Sequence, residues 1–178
     1  MGKFFALEGI DGAGLTTQTY LLANYLRKKG FEVVITKEPT HGLIGGLIRA
    51  ALRNEWKTSQ DTLQLLFSAD RAHHLRTEII PALKSGKIVI TDRYFLSTIA
   101  YGMIELEKKW LLSLNKNFKI PDAIFILDVD PKIAFERIGK SRAGFELFEE
   151  IEKARKIREN FLQLSKEFEN CFVIDASK

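Results

Sequence analysis

Near the start of the chain, Gly9-Ile-Asp-Gly-Ala-Gly14-Leu15-Thr16-Thr17 constrains the architecture more than any other segment. Its glycine spacing and two hydroxyls match the phosphate-binding pattern G-x-x-x-x-G-K-[ST], except that Leu15 stands where the pattern has lysine. The apolar run Phe4-Phe-Ala-Leu7 precedes it and a helical pattern follows, so the segment reads as a loop joining a strand to a helix. Gly9, Asp11, Gly12, Ala13, Gly14, Leu15, Thr16 and Thr17 are the expected phosphate contacts. Glycines let successive N–H groups converge on an anion at a helix N-terminus, and leucine leaves that cradle intact. Thr16 retains a hydroxyl for a divalent cation. What is missing is the cation that follows a transferring phosphoryl group.

Downstream, short apolar runs alternate with helical stretches, the pattern of a parallel sheet covered on both faces. Strands are predicted at Phe4–Glu8, Glu32–Thr36, Ile88–Asp92, Ala123–Asp128 and Phe172–Asp175, and helices over Thr16–Lys29, Leu43–Arg53, Asp61–Lys84, Phe95–Leu114, Pro131–Ile138 and Leu147–Phe168. Pro81 predicts a kink or break inside the third helix. At 178 residues, without repeat or linker, the chain reads as one domain over residues 1–178. The net charge of +4 fits anionic small molecules better than nucleic acid. A single cysteine, Cys171, excludes an internal disulfide and reads as a buried strand thiol. No charged-then-apolar leader and no membrane-length apolar run is present, so a cytoplasmic protein without membrane contact is expected.

Several residues carry candidate chemistry. Thr91-Asp92-Arg93-Tyr94 closes the third strand at its carboxyl end, where ligands bind in open parallel sheets. There Asp92 is suited to Mg²⁺ or to orienting an acceptor, and Arg93 to gripping a phosphate; a plain surface ion pair is the alternative. Phe67 and Arg71, four apart, share a helix face suited to stacking on a base and reading its edge, although spacing alone reads first as core and solvated surface. Adjacent His73 and His74 point in different directions and make no metal set with Asp70. Glu8 and Asp11 flank the loop; Asp11 faces an acceptor pocket and Glu8 supports a metal shell indirectly, or both cap the loop. Gly139-Lys-Ser-Arg-Ala-Gly144 reads as a basic flap able to reach phosphate through Lys140 and Arg142, or as a solvated connection.

The segments Glu8-Gly-Ile-Asp11-Gly-Ala-Gly14, Glu38-Pro39, Leu66-Phe67-Ser-Ala-Asp70-Arg71-Ala72, Thr91-Asp92-Arg93-Tyr94 with Ser97 and Ala100-Tyr101, Leu127-Asp-Val-Asp-Pro131, and Val173-Ile-Asp175-Ala-Ser177 together resemble thymidylate kinases. They run in the family's order across nearly the whole chain. The resemblance implies a three-layer α/β P-loop fold with sheet order 2-3-1-4-5, helices on both faces and a short lid near 139–146. It implies phosphorylation of dTMP by ATP with Mg²⁺, and a homodimer. Residue by residue, Phe67 stacks on thymine, Arg71 contacts its edge, Arg93 holds the dTMP phosphate, Asp11 meets the sugar hydroxyl and Tyr101 crowds the 2′ position. Asp92 and Thr16 organise Mg²⁺, Ala176 lies near adenine, and Arg137 and Arg142 belong to the basic lid.

Four departures from the family pattern stand out. Leu15 replaces lysine, Gly102 stands where glutamine is common, Thr98 occupies a base-proximal position often held by asparagine, and relatives usually continue past Lys178 into a final helix. With no base in the loop, Arg142, Lys140 or Arg137 must supply the positive charge. Two other readings remain at this point: a nucleotide-binding protein without turnover, motivated by Leu15, and a kinase for another monophosphate such as dUMP, motivated by Thr98.

Overall fold

A computed structural model describes residues 2–139 and 145–178, except the side chains of 145–148. Its core is a five-stranded parallel sheet in the order β2-β3-β1-β4-β5. The strands are β1 (Phe4–Glu8), β2 (Val33–Lys37), β3 (Ile88–Asp92), β4 (Ala123–Asp128) and β5 (Cys171–Asp175). Ile88, Val89, Ile90 and Thr91 are buried in succession, which requires cover on both faces of β3. The helices are α1 (Leu15–Lys28), α2 (Leu43–Leu52), α3 (Gln60–His74), α4 (Ile80–Lys84), α5 (Phe95–Gly102), α6 (Lys108–Asn115), α7 (Pro131–Arg137) and α8 (Phe145–Ser165). Among them, α1 packs on β1, β2 and β3, while α8 packs on β4 and β5.

Register brings the chemistry to one edge of the sheet. Leu7 and Lys37 both pair with Asp92, so the loop after β1 and the ends of β2 and β3 open on the same crevice. This is the strand order implied by the resemblance.

Three expectations are corrected. The single helix over Phe95–Leu114 is two, because the chain turns after Gly102, whose carbonyl accepts from the N–H groups of Glu105 and Leu106. That turn folds α6 back so that Leu111 packs on Gly102. The long helix over Asp61–Lys84 changes winding rather than breaking: a π turn at Leu75–Ile79, where Ile80 N–H donates to Leu75 O, leads into α4 and its Pro81. The wider turn relieves the clash of the proline ring with the preceding turn. Cys171 is only half-buried, and Phe172, Val173 and Ile174 are 43–50% exposed, since β5 pairs with β4 alone and is the sheet edge. Burial pushes the Cys171 thiol up to about 11, so it is un-ionised at neutral pH. Among the described residues, no helix is long and apolar enough to cross a membrane.

Candidate active site

The phosphate loop is shaped by its backbone. Gly12 has φ +82°, and a Cβ there would lie 2.3 Å from the Ala134 carbonyl of α7, so only glycine fits. Gly14, at φ +91°, turns the chain into α1. No side chain caps that helix, and the N–H groups of its first turn face the crevice beyond the loop. Leu15, 6% exposed, packs into the hydrophobic core, with a methyl 3.6 Å from where a Gly9 Cβ would be. Its apolar side chain has joined the core beneath the loop while still lining the loop's cavity.

Beside it, the Thr16 hydroxyl donates to Asp92 Oδ2 at 2.5 Å. Two hard oxygen donors at the end of a strand and the start of a helix suit Mg²⁺, which takes one or two protein ligands and completes its shell with phosphates and water. Among the described residues, no three His, Cys, Asp or Glu side chains form a self-sufficient metal cluster.

Arg93 joins the loop to the second half of the crevice. Its guanidinium donates to the Gly9 carbonyl at 2.8 Å, to Ser97 Oγ at 3.1 Å and to Asp11 Oδ1 at 2.7 Å, and it lies over the Tyr101 ring at 5.5 Å. Its backbone sits at φ +70°, a strained conformation for a side chain of this size. Burial alone would weaken its charge, but Tyr101, Asp11, Glu8 and Asp92 outweigh it and hold Arg93 above the usual arginine range. Burial also raises the Tyr101 phenol above its usual range.

Glu8 corrects its expected part. Fully buried, it caps neither the loop nor a metal shell but the start of α5: Oε1 accepts from the N–H groups of Tyr94 and Leu96, and Oε2 from the N–H and hydroxyl of Ser97. Burial pushes its carboxyl up to about 7, against those donors and the Arg93 and Arg71 guanidiniums. Through this cap, β1 fixes the helix that carries Ser97, Thr98 and Tyr101.

Phe67 is half-buried and lines a cavity of about 260 Å³ with Arg71, Arg93, Thr98 and Tyr101, rather than joining the core. Arg71 is neither solvated nor free: wholly buried, it donates to Glu38 Oε2 at 2.9 Å through Nε, to Asn115 Oδ1 at 2.5 Å and to Thr98 Oγ1 at 3.0 Å, between the Tyr94 and Phe118 rings. Thr98 in turn donates to Phe95 O at 2.8 Å, so its first task is to hold Arg71. Asp70, also buried, anchors the loop after β2 by accepting from the N–H and hydroxyl of Thr40 at 2.7 and 2.6 Å.

A second cavity, about 470 Å³, is lined by the phosphate loop, Asp92 and Arg93, and also by Lys37 and Arg49, which the motif reading missed. Only their convergence in space marks them; in sequence they are ordinary basic residues. The two cavities share Asp11, Glu38, Pro39, Leu52 and Arg93, so they lie side by side. Arg137 and Ala176 meet across the loop in a third cavity, with Arg137 donating to the Lys178 carbonyl at 3.2 Å. Arg137 therefore does not line the Asp92 cavity. Lys140 and Arg142, and with them most of the expected lid, lie outside the described residues.

Comparison with known proteins agrees with this arrangement. The family model for thymidylate kinase matches residues 7–178. Proteins named probable thymidylate kinase from Thermococcus gammatolerans and Pyrococcus horikoshii are 40% and 43% identical, covering 99% and 98% of this chain and 89% and 88% of their own lengths. A thymidylate kinase from a Geobacillus species is 39% identical over 99% of this chain and 90% of its own. With the phosphate loop, the Asp92–Arg93 strand end and the Phe67 cavity on one crevice, and with this likeness running from end to end, the chain belongs to the thymidylate kinase family.

Proposed function

We propose that this protein transfers the γ-phosphoryl group of ATP to the phosphate of dTMP, giving dTDP and ADP. The observation that carries the reading is that the two cavities meet at Arg93 and Asp11, which line both, so that a donor phosphate on the loop and an acceptor phosphate from the Phe67 side would come together at Arg93. The acceptor is already an anion, so transfer needs alignment and charge neutralisation rather than a general base. In this reading Phe67 stacks on the base, Arg71 contacts its edge, Tyr101 packs beside the sugar and Asp11 meets the sugar hydroxyl. Arg93 bridges the incoming phosphate. Thr16 and Asp92 would hold Mg²⁺, which when bound draws off phosphate charge. Arg137 and Ala176 face the adenine end, and Arg142, outside the described residues, is the lid base that would supply charge to the phosphates.

ADP formation from ATP and Mg²⁺ is expected with dTMP, more weakly with dUMP, and not above background with UMP or CMP. Chelating the metal is expected to abolish it. ADP release that does not depend on any monophosphate overturns the reading.

We propose a cytoplasmic location, where a kinase acting on free nucleotides meets both substrates. We also propose that two copies pair through α2 and α3, two helices that pack together and leave Leu43, Leu47 and Leu65 exposed. Sedimentation at micromolar concentration is expected to give twice the chain mass, and a lone monomer there would refute pairing.

A further inference from the structure

The Phe67 cavity contains a polar side chain to which no role has yet been given. Gln64 of α3 is 4% exposed and lines the cavity with Phe67, Arg71, Thr98 and Tyr101. Gln64, Phe67 and Arg71 stand at i, i+3 and i+7, one helix face. The Arg71 guanidinium is committed to Glu38, Asn115 and Thr98. Thr98 gives its proton to Phe95 O, and Asn115 donates to Leu111 O. Of these buried polar groups Gln64 alone keeps both a donor and an acceptor free, for among the described residues its amide has no hydrogen-bond partner.

Among the described residues the Thr19 hydroxyl is the one fully enclosed side-chain polar atom without a partner, so the unpaired Gln64 amide is open to the cavity it lines, where it can meet a ligand. The space around it is shaped for it. A Cβ on Gly102 would lie 3.0 Å from Gln64 Nε2 and 2.9 Å from a Leu111 methyl, so the bare glycine leaves the room the amide occupies. An amide open to the cavity with free donor and acceptor, on the face that holds the aromatic ring, suits a flat ligand with the same pair of groups on one edge.

We infer that Gln64 is a specificity-determining residue that pairs with the imide edge of the pyrimidine stacked on Phe67. The ring N–H donates to Oε1, and Nε2 donates to the adjacent carbonyl, two parallel hydrogen bonds of the kind planar amides make to base edges. The inference rests on the dTMP kinase reading.

The test is calorimetric binding of monophosphates, with kinetics alongside. Gln64→Leu is expected to weaken dTMP and dUMP binding by the same factor, about tenfold. Its kcat at saturation is expected to stay near that of the unaltered protein, and its Tm not to fall, since the amide makes no hydrogen bond within the described residues. N3-methyl-dTMP, which lacks the ring N–H, is expected to bind both proteins alike. Equal dTMP affinity in Gln64→Leu, or an equal loss for dTMP and its N3-methyl analogue, overturns the assignment. Failure of the unaltered protein to bind dTMP at all defeats the kinase reading, and this inference with it, before any substitution is compared.

Discussion

Arg93→Ala is expected to lower kcat/KM for dTMP by about three powers of ten, the scale of losing a charged, multiply bonded contact to a transferring phosphate. The guanidinium spans three anchors on separate elements, the Gly9 carbonyl, Asp11 and Ser97, and it lines both cavities where they meet. Arg93→Lys is expected to recover no more than about a tenth of the loss, because one ammonium cannot hold those anchors and a phosphate together. The backbone supplies a control. At φ +70° alanine remains strained whereas glycine does not, so Arg93→Gly separates the lost charge from the lost conformation. Steady-state rates for the three variants at saturating ATP, with Tm for each, make the measurement. If Arg93→Gly stays within tenfold of the unaltered protein, Arg93 is a structural brace between loop and helix and not a phosphate ligand.

The parts legible in the sequence were those whose cause is local. The glycine spacing of the loop announces its own turn, and the apolar run ending in Asp92 announces a strand and its carboxyl end, so β1, α1, β3 and the Thr16–Asp92 pair could be anticipated. Sheet order came from family likeness, not from periodicity. What stayed hidden depends on partners far along the chain. Nothing around Arg71 reveals that Glu38, Asn115 and Thr98, 33, 44 and 27 residues away, will enclose it. Glu8 looks like a loop residue until the N–H groups of α5 arrive more than 80 residues later. Nothing in the sequence marks Gln64 as buried, because the elements that pack on its helix, α5 and α6, lie more than 30 residues away. Lys37 and Arg49 carry no motif, so only the folded crevice discloses them.

Leu15→Lys is expected to raise kcat by between about ten- and a hundredfold, the reverse of losing one electrostatic contact in phosphoryl transfer. The leucine lies in the core yet lines the phosphate cavity, so a lysine stem can follow the buried path and bring its ammonium out beside Thr16 and Asp92. Stability is expected to fall by about 1 kcal/mol, since the stem keeps part of the buried contact but the charged end must reach solvent. Without that lysine, the remaining cations of the cavity are Lys37, Arg49 and Arg93 among the described residues, with Arg142 expected from the lid. Arg93 is already tied to Asp11, and Arg49 donates to the carbonyls of Pro39 and Thr40, which leaves Lys37 and Arg142 to carry the missing charge. Removing either is therefore expected to cost more in the unaltered protein than in Leu15→Lys, a coupling readable from kcat in a double-mutant cycle. If Leu15→Lys leaves kcat unchanged and the cycle shows no coupling, the neutral loop needs no compensation, and the backbone N–H groups at the start of α1 together with Arg93 suffice for transfer.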